Sequence, residues 1–270
     1  MVKITYTPTI LTIAGFDPYG GAGIQIDTKT IHALGGYALS VTTAMTAQNS
    51  QGVTAQEAVS PDMLDLQLRT LLDDIEVDAV KIGMLANASL IEVVAEILKS
   101  HKLTNVVLDP VLASSSGKVL LEPDAVEKMI VKLFPLCRLI TPNLDETNTL
   151  LGTNFQGSAK DVPLMAEGLF GMGARNILLK GGHTKEKDAV DCLVELSSIT
   201  RFATPRIQTS HTHGTGCLLS SAIATYLAKG NGLAESVKRS KHFLYEKLLH
   251  ASSLKLQYLS ENIERKEPIF

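Results

Sequence analysis

Thr9-Ile10-Leu11-Thr12-Ile13-Ala14-Gly15-Phe16-Asp17-Pro18-Tyr19-Gly20-Gly21-Ala22-Gly23-Ile24-Gln25-Ile26-Asp27 is the stretch whose reading decides the fold class. Residues 9–14 form an apolar run of strand length. Gly20 to Gly23 make a glycine-rich turn. Ile24, Thr28, Ile31 and Leu34 then recur at helical spacing, with Gln25, Lys29 and His32 off that stripe. A buried strand turned by glycines into an amphipathic helix is the first half of a βαβ unit. The alternation continues outward from it. Strands are expected at 39–47, 79–82, 106–108, 137–140 and 176–179. Helices are expected from Ser60-Pro61, over 89–99, from Pro123, around Ala166, over 214–229 and over about 233–253. Residues 190–196 and 201–203 read as an antiparallel edge. The tail from Glu261 is polar and expected to fray. With no linker tract, low-complexity segment or internal repeat, residues 1–270 read as one α/β domain of three layers around a mostly parallel sheet.

Composition narrows the function. The 270 residues are 45% hydrophobic and 20% charged, with a formal net charge of -3. That is the make-up of a globular chain without a field to attract nucleic acid. Any anionic ligand must be held by a local site. Cys137, Cys192 and Cys217 are too few and too scattered for a disulfide framework or a zinc cluster, which fits a reducing compartment. No run is apolar enough to span a bilayer, and the first residues lack the cationic and apolar pattern expected of a signal peptide. A cytoplasmic protein without nucleic-acid or membrane partners is expected.

Two glycine clusters invite a ligand. The Walker pattern is absent, and Gly20-Gly21-Ala22-Gly23 does not match the dinucleotide fingerprint. This first cluster suits a tight turn or a ligand loop equally. The second, Gly214-Thr215-Gly216-Cys217, leads into the small apolar run Leu218-Leu219-Ser220-Ser221-Ala222. Free N–H groups and the helix dipole would converge there on an anion. The same field would lower the Cys217 thiol toward partial ionisation. A close-packed helix start with an inert cysteine is the other reading.

Parallel sheets hold ligands at the carboxyl ends of their strands. Asp17, Gln48-Asn49, Met84, Asp109, Asn143 and Lys180 all fall at such ends. Asn143-Leu144-Asp145-Glu146 is also a capping box, Asp109-Pro110 a turn start, and Met84 a core candidate. Lys180, between a buried strand and Gly181-Gly182, calls for a charged partner. His183, His211 and His213 do not have zinc spacing and are set aside as metal ligands.

These motifs together resemble the hydroxymethylpyrimidine/phosphomethylpyrimidine kinases of thiamine biosynthesis, in the ribokinase-like superfamily. The resemblance is carried by the opening stretch from Thr12 to Asp27 and by Thr46-Ala47-Gln48-Asn49-Ser50-Gln51-Gly52-Val53. Lys81-Ile82-Gly83-Met84-Leu85, Asp109-Pro110-Val111 and Thr141-Pro142-Asn143-Leu144 extend it. Leu179-Lys180-Gly181-Gly182-His183 and His213-Gly214-Thr215-Gly216-Cys217 complete it. It implies a ribokinase-like three-layer αβα sandwich, ATP and Mg²⁺ as cofactors, and two successive phosphorylations of a hydroxymethyl pyrimidine. A homodimer is the assembly expected.

Carried over residue by residue, Gln48 matches the glutamine on the aminopyrimidine edge. Gly15 and Val111 match backbone contacts to the ring, and Met84 a residue packed on it. Asp27 matches an acidic residue reaching toward the substrate. Lys180, Thr215, Gly214 and Gly216 match the ATP phosphate contacts, and Glu146 and Asp109 the Mg²⁺ site. Gly214, Gly216 and Cys217 would stabilise the transferring phosphoryl group, with Cys217 the candidate base for the substrate hydroxyl. Phe16 and Tyr19 stand where the family usually has small hydroxyl residues, and Leu218 where threonine is common. A pyridoxal or pyridoxine kinase and a pyrimidine-binding protein without kinase activity are the alternatives. The Gln48 amide, able to donate and accept, favours the aminopyrimidine.

Overall fold

The computed structural model describes residues 6–114, 116–182, 187–209 and 212–251. The opening stretch folds as read. Strand β1 (Thr9–Phe16) is followed by the glycine turn and helix α1 (Gly23–Ala33). The remaining strands are β2 (Tyr37–Asn49), β3 (Gly52–Ala58), β4 (Ala79–Ile82), β5 (Val106–Leu108), β6 (Leu139–Ile140), β7 (Ile177–Leu179), β8 (Asp188–Glu195) and β9 (Ser198–Pro205). They form one nine-stranded sheet in the order β3-β2-β1-β4-β5-β6-β7-β8-β9. The run from β2 to β7 is parallel, and β3, β8 and β9 are antiparallel additions at its two edges.

Alternation along each strand divides the core into two layers. Leu11 and Ile13 of β1, Val80 and Ile82 of β4, and Val106 and Leu108 of β5 face one side. There they meet helices α2 (Pro61–Leu72), α3 (Ala88–Ser100), α4 (Pro123–Leu133) and α6 (Asp161–Gly171). Ile10, Ala79, Val107, Leu139 and Leu178 face the other side, toward α1, α7 (Thr215–Ala228) and α8 (Leu233–Leu249). Every α7 residue from Leu218 to Thr225 is buried, as its small side chains require.

Local signals decide the helix starts. Ser60 accepts from the Met63 N–H with Pro61 at the first helical position. Helix α5 (Leu144–Leu151) carries the expected capping box, with Asn143 and Glu146 bonded reciprocally. Strand β3 was not expected. Its burial follows no period-2 stripe, because it lies at the sheet's edge and, among the described residues, pairs only with β2.

Candidate active site

The parallel strands end on a common cleft of about 750 Å³. Gly15, Gln48, Met84 and Val111 line one part of it. Lys180, Asp109, Glu146 and the loop from Gly214 to Cys217 line another. Of the residues expected to act, only Asp27 does not belong to this lining.

Asp27 is fully buried on α1. Its Oδ2 pairs with Lys81 Nζ at 2.7 Å and accepts from Thr12 Oγ1 at 2.6 Å, while Oδ1 accepts from Ser221 Oγ at 2.6 Å. The expectation that Asp27 reaches toward substrate is therefore corrected. A carboxylate here is consumed by Lys81, whose own position on β4 points into the α1–α7 layer. Lys81, itself fully buried, borders the cleft from that layer, and its pairing with Asp27 was not read from sequence. Gly83 makes room for it, since a Cβ there would lie 2.8 Å from the ammonium.

The glycine turn after β1 is built around Asp17. Its Oδ1 accepts from Tyr19 N–H at 2.9 Å, and its Oδ2 from Gly21 and Ala22 N–H at 3.0 and 2.8 Å. Burial alone would raise this carboxyl. Hydrogen bonds from His213, Ala22 and Tyr19 outweigh it and hold the group below the ordinary carboxylate range. Gly23 has φ of 56°, and a Cβ would lie 2.1 Å from the Gly15 carbonyl. The tight-turn reading thus accounts for that glycine, while Ala22 and Gly23 also line the cleft.

The second glycine cluster closes on the first. Gly214 adopts φ of 79°, where a Cβ would strike the Gly21 carbonyl at 1.7 Å. Thr215 N–H and Oγ1 both donate back to the Thr212 carbonyl. The first-turn N–H groups of Gly216 and Cys217 have no acceptor within α7. Gly216 sits beside the charged cluster, a Cβ there being 3.2 Å from Asp109 Oδ2 and 3.4 Å from Lys180 Nζ.

That cluster satisfies the lysine from within. Lys180 Nζ lies 2.6 Å from Asp109 Oδ1 and 3.6 Å from Glu146 Oε2, so carboxylates supply the charged partner expected of a ligand. Thr141 Oγ1 donates to the same Asp109 oxygen at 2.9 Å. Burial pushes the Glu146 carboxyl up to about 7, with Lys180 opposing and Asp109 adding to the rise. Two carboxylates beside free first-turn N–H groups suit a hard divalent cation shared with phosphate oxygens.

The expected partial ionisation of Cys217 is also corrected. Burial pushes its thiol up to about 11; Lys81 and the Gly23 N–H lower it, but the Asp27 and Asp109 charges raise it. The helix start does not compensate, and the thiol keeps its proton at neutral pH.

Sequence reading missed three more parts of the site. His213 was considered only as a metal ligand, yet its Nε2 lies 3.0 Å from Gln48 Nε2 and 3.2 Å from Asp17 Oδ2. Asp191 and Lys241 form a buried pair at 2.7 Å, and Asp191 Oδ1 accepts from the Gly181 N–H at 2.9 Å. Pro205, Ile207, Leu244 and Leu248 form an apolar flank of the cleft, between the β9 end and α8. Of these, only His213 lies in a motif, the His213–Cys217 stretch, and that stretch does not name its partners. His183 and His211 lie outside the described residues. Among the described residues, no group of three or more His, Cys, Asp or Glu is placed to hold a metal.

A family model described as phosphomethylpyrimidine kinase matches residues 17–261. The chain is 42% identical over 246 residues to a hydroxymethylpyrimidine/phosphomethylpyrimidine kinase of Salmonella typhimurium, covering 91% of this chain and 92% of that one. The phosphomethylpyrimidine kinase structure from Clostridium difficile is similar with a TM-score of 0.78 at 39% identity, over 89% of this chain and 99% of that one. The pyridoxal kinase from Staphylococcus aureus, in complex with AMP-PCP and pyridoxal, is similar with a TM-score of 0.86 at 29% identity, over 94% of both chains.

Proposed function

The chain belongs to the phosphomethylpyrimidine kinase family and is a phosphotransferase, and from that premise we propose the reaction it carries out. ATP donates its γ-phosphoryl group to 4-amino-5-hydroxymethyl-2-methylpyrimidine, and then to the monophosphate, giving the diphosphate used in thiamine biosynthesis. The observation that carries this reading is the single cleft of about 750 Å³ that joins the Gln48 side to the Lys180 and Gly214–Cys217 side.

Gln48, Met84, Gly15 and Val111 receive the pyrimidine, with the amide of Gln48 on its edge. Pro205, Ile207, Leu244 and Leu248 suit a flat nucleobase. Lys180 and the N–H groups of Gly214, Gly216 and Cys217, with Thr215 beside them, face the phosphates. Asp109 and Glu146 would hold Mg²⁺, which supplies charge neutralisation on the phosphate oxygens. Phosphoryl transfer then needs positioning and charge stabilisation more than a strong base. Cys217 takes the proton of the substrate hydroxyl in the first step from its minor thiolate form, so that step should quicken as pH rises toward the thiol's raised range. In the second step the acceptor is already a phosphate, so that role lapses.

Cys217→Ala is accordingly expected to slow the first phosphorylation by on the order of a hundredfold and the second far less. Separate assays of the alcohol and the monophosphate as acceptors measure this. Equal losses would remove Cys217 from proton transfer. The reaction itself is tested by incubating the protein with ATP-Mg²⁺ and hydroxymethylpyrimidine and resolving mono- and diphosphate products. Binding without ATP turnover would favour a non-catalytic pyrimidine binder. The likeness to a pyridoxal kinase supports one second reading, phosphorylation of a vitamin B6 alcohol. A larger kcat/KM for pyridoxine than for hydroxymethylpyrimidine would establish it.

One kinase domain over the whole chain, a homodimeric assembly and a cytoplasmic location complete the proposal. The location is supported by three free cysteines. Among the described residues, no helix is long and apolar enough to cross a membrane.

A further inference from the structure

We propose that His213 is a positioning residue for the substrate: its Nε2–H, donated to Asp17, sets which way round the Gln48 amide faces the cleft. This rests on the reading that Gln48 meets the pyrimidine edge.

The bond pattern leaves one consistent solution. Asp17 is 2% exposed, and its two oxygens already accept from three backbone N–H groups, so the group acts as an acceptor only. His213 Nε2, 3.2 Å from Asp17 Oδ2, must therefore carry a hydrogen; a bare ring nitrogen would set lone pair against lone pair. The same Nε2 stands 3.0 Å from one end of the Gln48 amide. A ring N–H facing an amide NH₂ would oppose two donors. The oxygen and nitrogen of a glutamine have nearly the same shape, and their assignment follows the hydrogen-bond network. The network here requires the reverse order, with Gln48 Oε1 toward His213 and Nε2 away from it.

The far side of Gln48 agrees. The amide end assigned there contacts Thr46 Oγ1 at 3.3 Å, and that hydroxyl also donates to the Phe16 carbonyl at 2.9 Å. One hydroxyl hydrogen cannot serve both contacts well. With the amide reversed, Gln48 Nε2 donates to Thr46, Thr46 donates to Phe16, and the one His213 Nε2–H is shared between Asp17 Oδ2 and Gln48 Oε1, so that no two donors oppose each other. What Gln48 leaves for the cleft is one N–H and one oxygen lone pair in a fixed order. That order matches an aminopyrimidine edge presented one way round and opposes the same edge turned over. Shape holds His213 in this place: a Cβ on Gly21 would lie 2.7 Å from its Cδ2.

Steady-state kinetics on four variants test this. His213→Leu should raise KM for hydroxymethylpyrimidine about tenfold, the size of one hydrogen bond's loss, with kcat and KM for ATP within about threefold. His213→Gln, which returns an N–H at similar reach, should recover most of that KM. Thr46→Val, which removes the acceptor on the other side, should raise the same KM by a smaller factor. Gln48→Ala separates the premise from the inference. If Gln48→Ala raises the pyrimidine KM and His213→Leu does not, the positioning role falls while the binding role of Gln48 stands. If Gln48→Ala leaves that KM unchanged, the pyrimidine reading falls with it. A His213→Leu loss expressed in kcat or in KM for ATP would mean that His213 only packs the Gly214 loop, and overturns the proposal. Should His213→Leu fail to fold, the recovery in His213→Gln and the rise in Thr46→Val decide the matter.

Discussion

At the scale of single residues, Asp17 shows how one buried carboxylate can organise a ligand loop. It ties three backbone N–H groups and the His213 ring to the end of β1. Asp17→Asn keeps the shape but gives up the charge and turns one acceptor into a donor. The expected cost is about 2 kcal/mol of stability at neutral pH. The carboxyl is held below its ordinary range in the folded protein. Its contribution is therefore complete above the unfolded-state value and is lost as pH falls through the folded one. Thermal denaturation of the two proteins should show a constant gap through neutral pH that narrows below about pH 4. A gap that persists unchanged in acid would mean that the charge is not what stabilises the turn. Cys217 carries the opposite lesson. Its place at a helix start suggests a lowered thiol, but burial among Asp27 and Asp109 prevails.

At the scale of elements, helix α7 depends on how its first residue is reached. Gly214 turns the chain in the left-handed region and lies against the Gly21 carbonyl, so the two glycine loops lock together. Gly214→Ala adds a Cβ 1.7 Å from that oxygen at a φ of 79°. The expected result is a loss of about 2 kcal/mol or more in stability and on the order of a hundredfold in kcat. Gly152→Ala is the comparison. That residue also has positive φ, at 64°, but nothing lies within 4 Å of its Cβ position. It should cost about 1 kcal/mol and leave kcat unchanged. Denaturant melts and turnover assays distinguish the two. Similar losses in both would show that backbone strain alone, without the contact between loops, explains Gly214.

At the scale of the whole molecule, the sheet leaves β3 as an edge strand with one side unpaired among the described residues. Met45 on β2 and Met63 and Leu66 on the adjoining α2 are 51%, 50% and 60% exposed. An open edge next to exposed apolar side chains suits a second copy of the chain. Sedimentation velocity should find a two-chain species at micromolar concentration, and Leu66→Glu should shift it toward one chain. A single-chain species for the unaltered protein at every concentration tested would end that reading.

The amino-acid sequence by itself determined the fold class. Apolar runs of strand length, helical periodicity, Ser60-Pro61 and the Asn143–Glu146 capping box all act between near neighbours, and they are legible without the tertiary structure. It also marked Gln48, Met84, Asp109, Lys180 and the Gly214–Cys217 loop, because strand ends and glycine clusters lie where such sheets hold ligands, while Val111 came from the family resemblance alone. Only the tertiary structure decided that Asp27 serves Lys81 and not the cleft, that Lys180 meets carboxylates, and that His213 stands between Asp17 and Gln48. Each of those contacts joins residues far apart in the chain, and no local periodicity encodes them. Electrostatics follows the same division. The charge a group keeps depends on burial and on partners brought from other strands, so ionisation was settled where the layers closed.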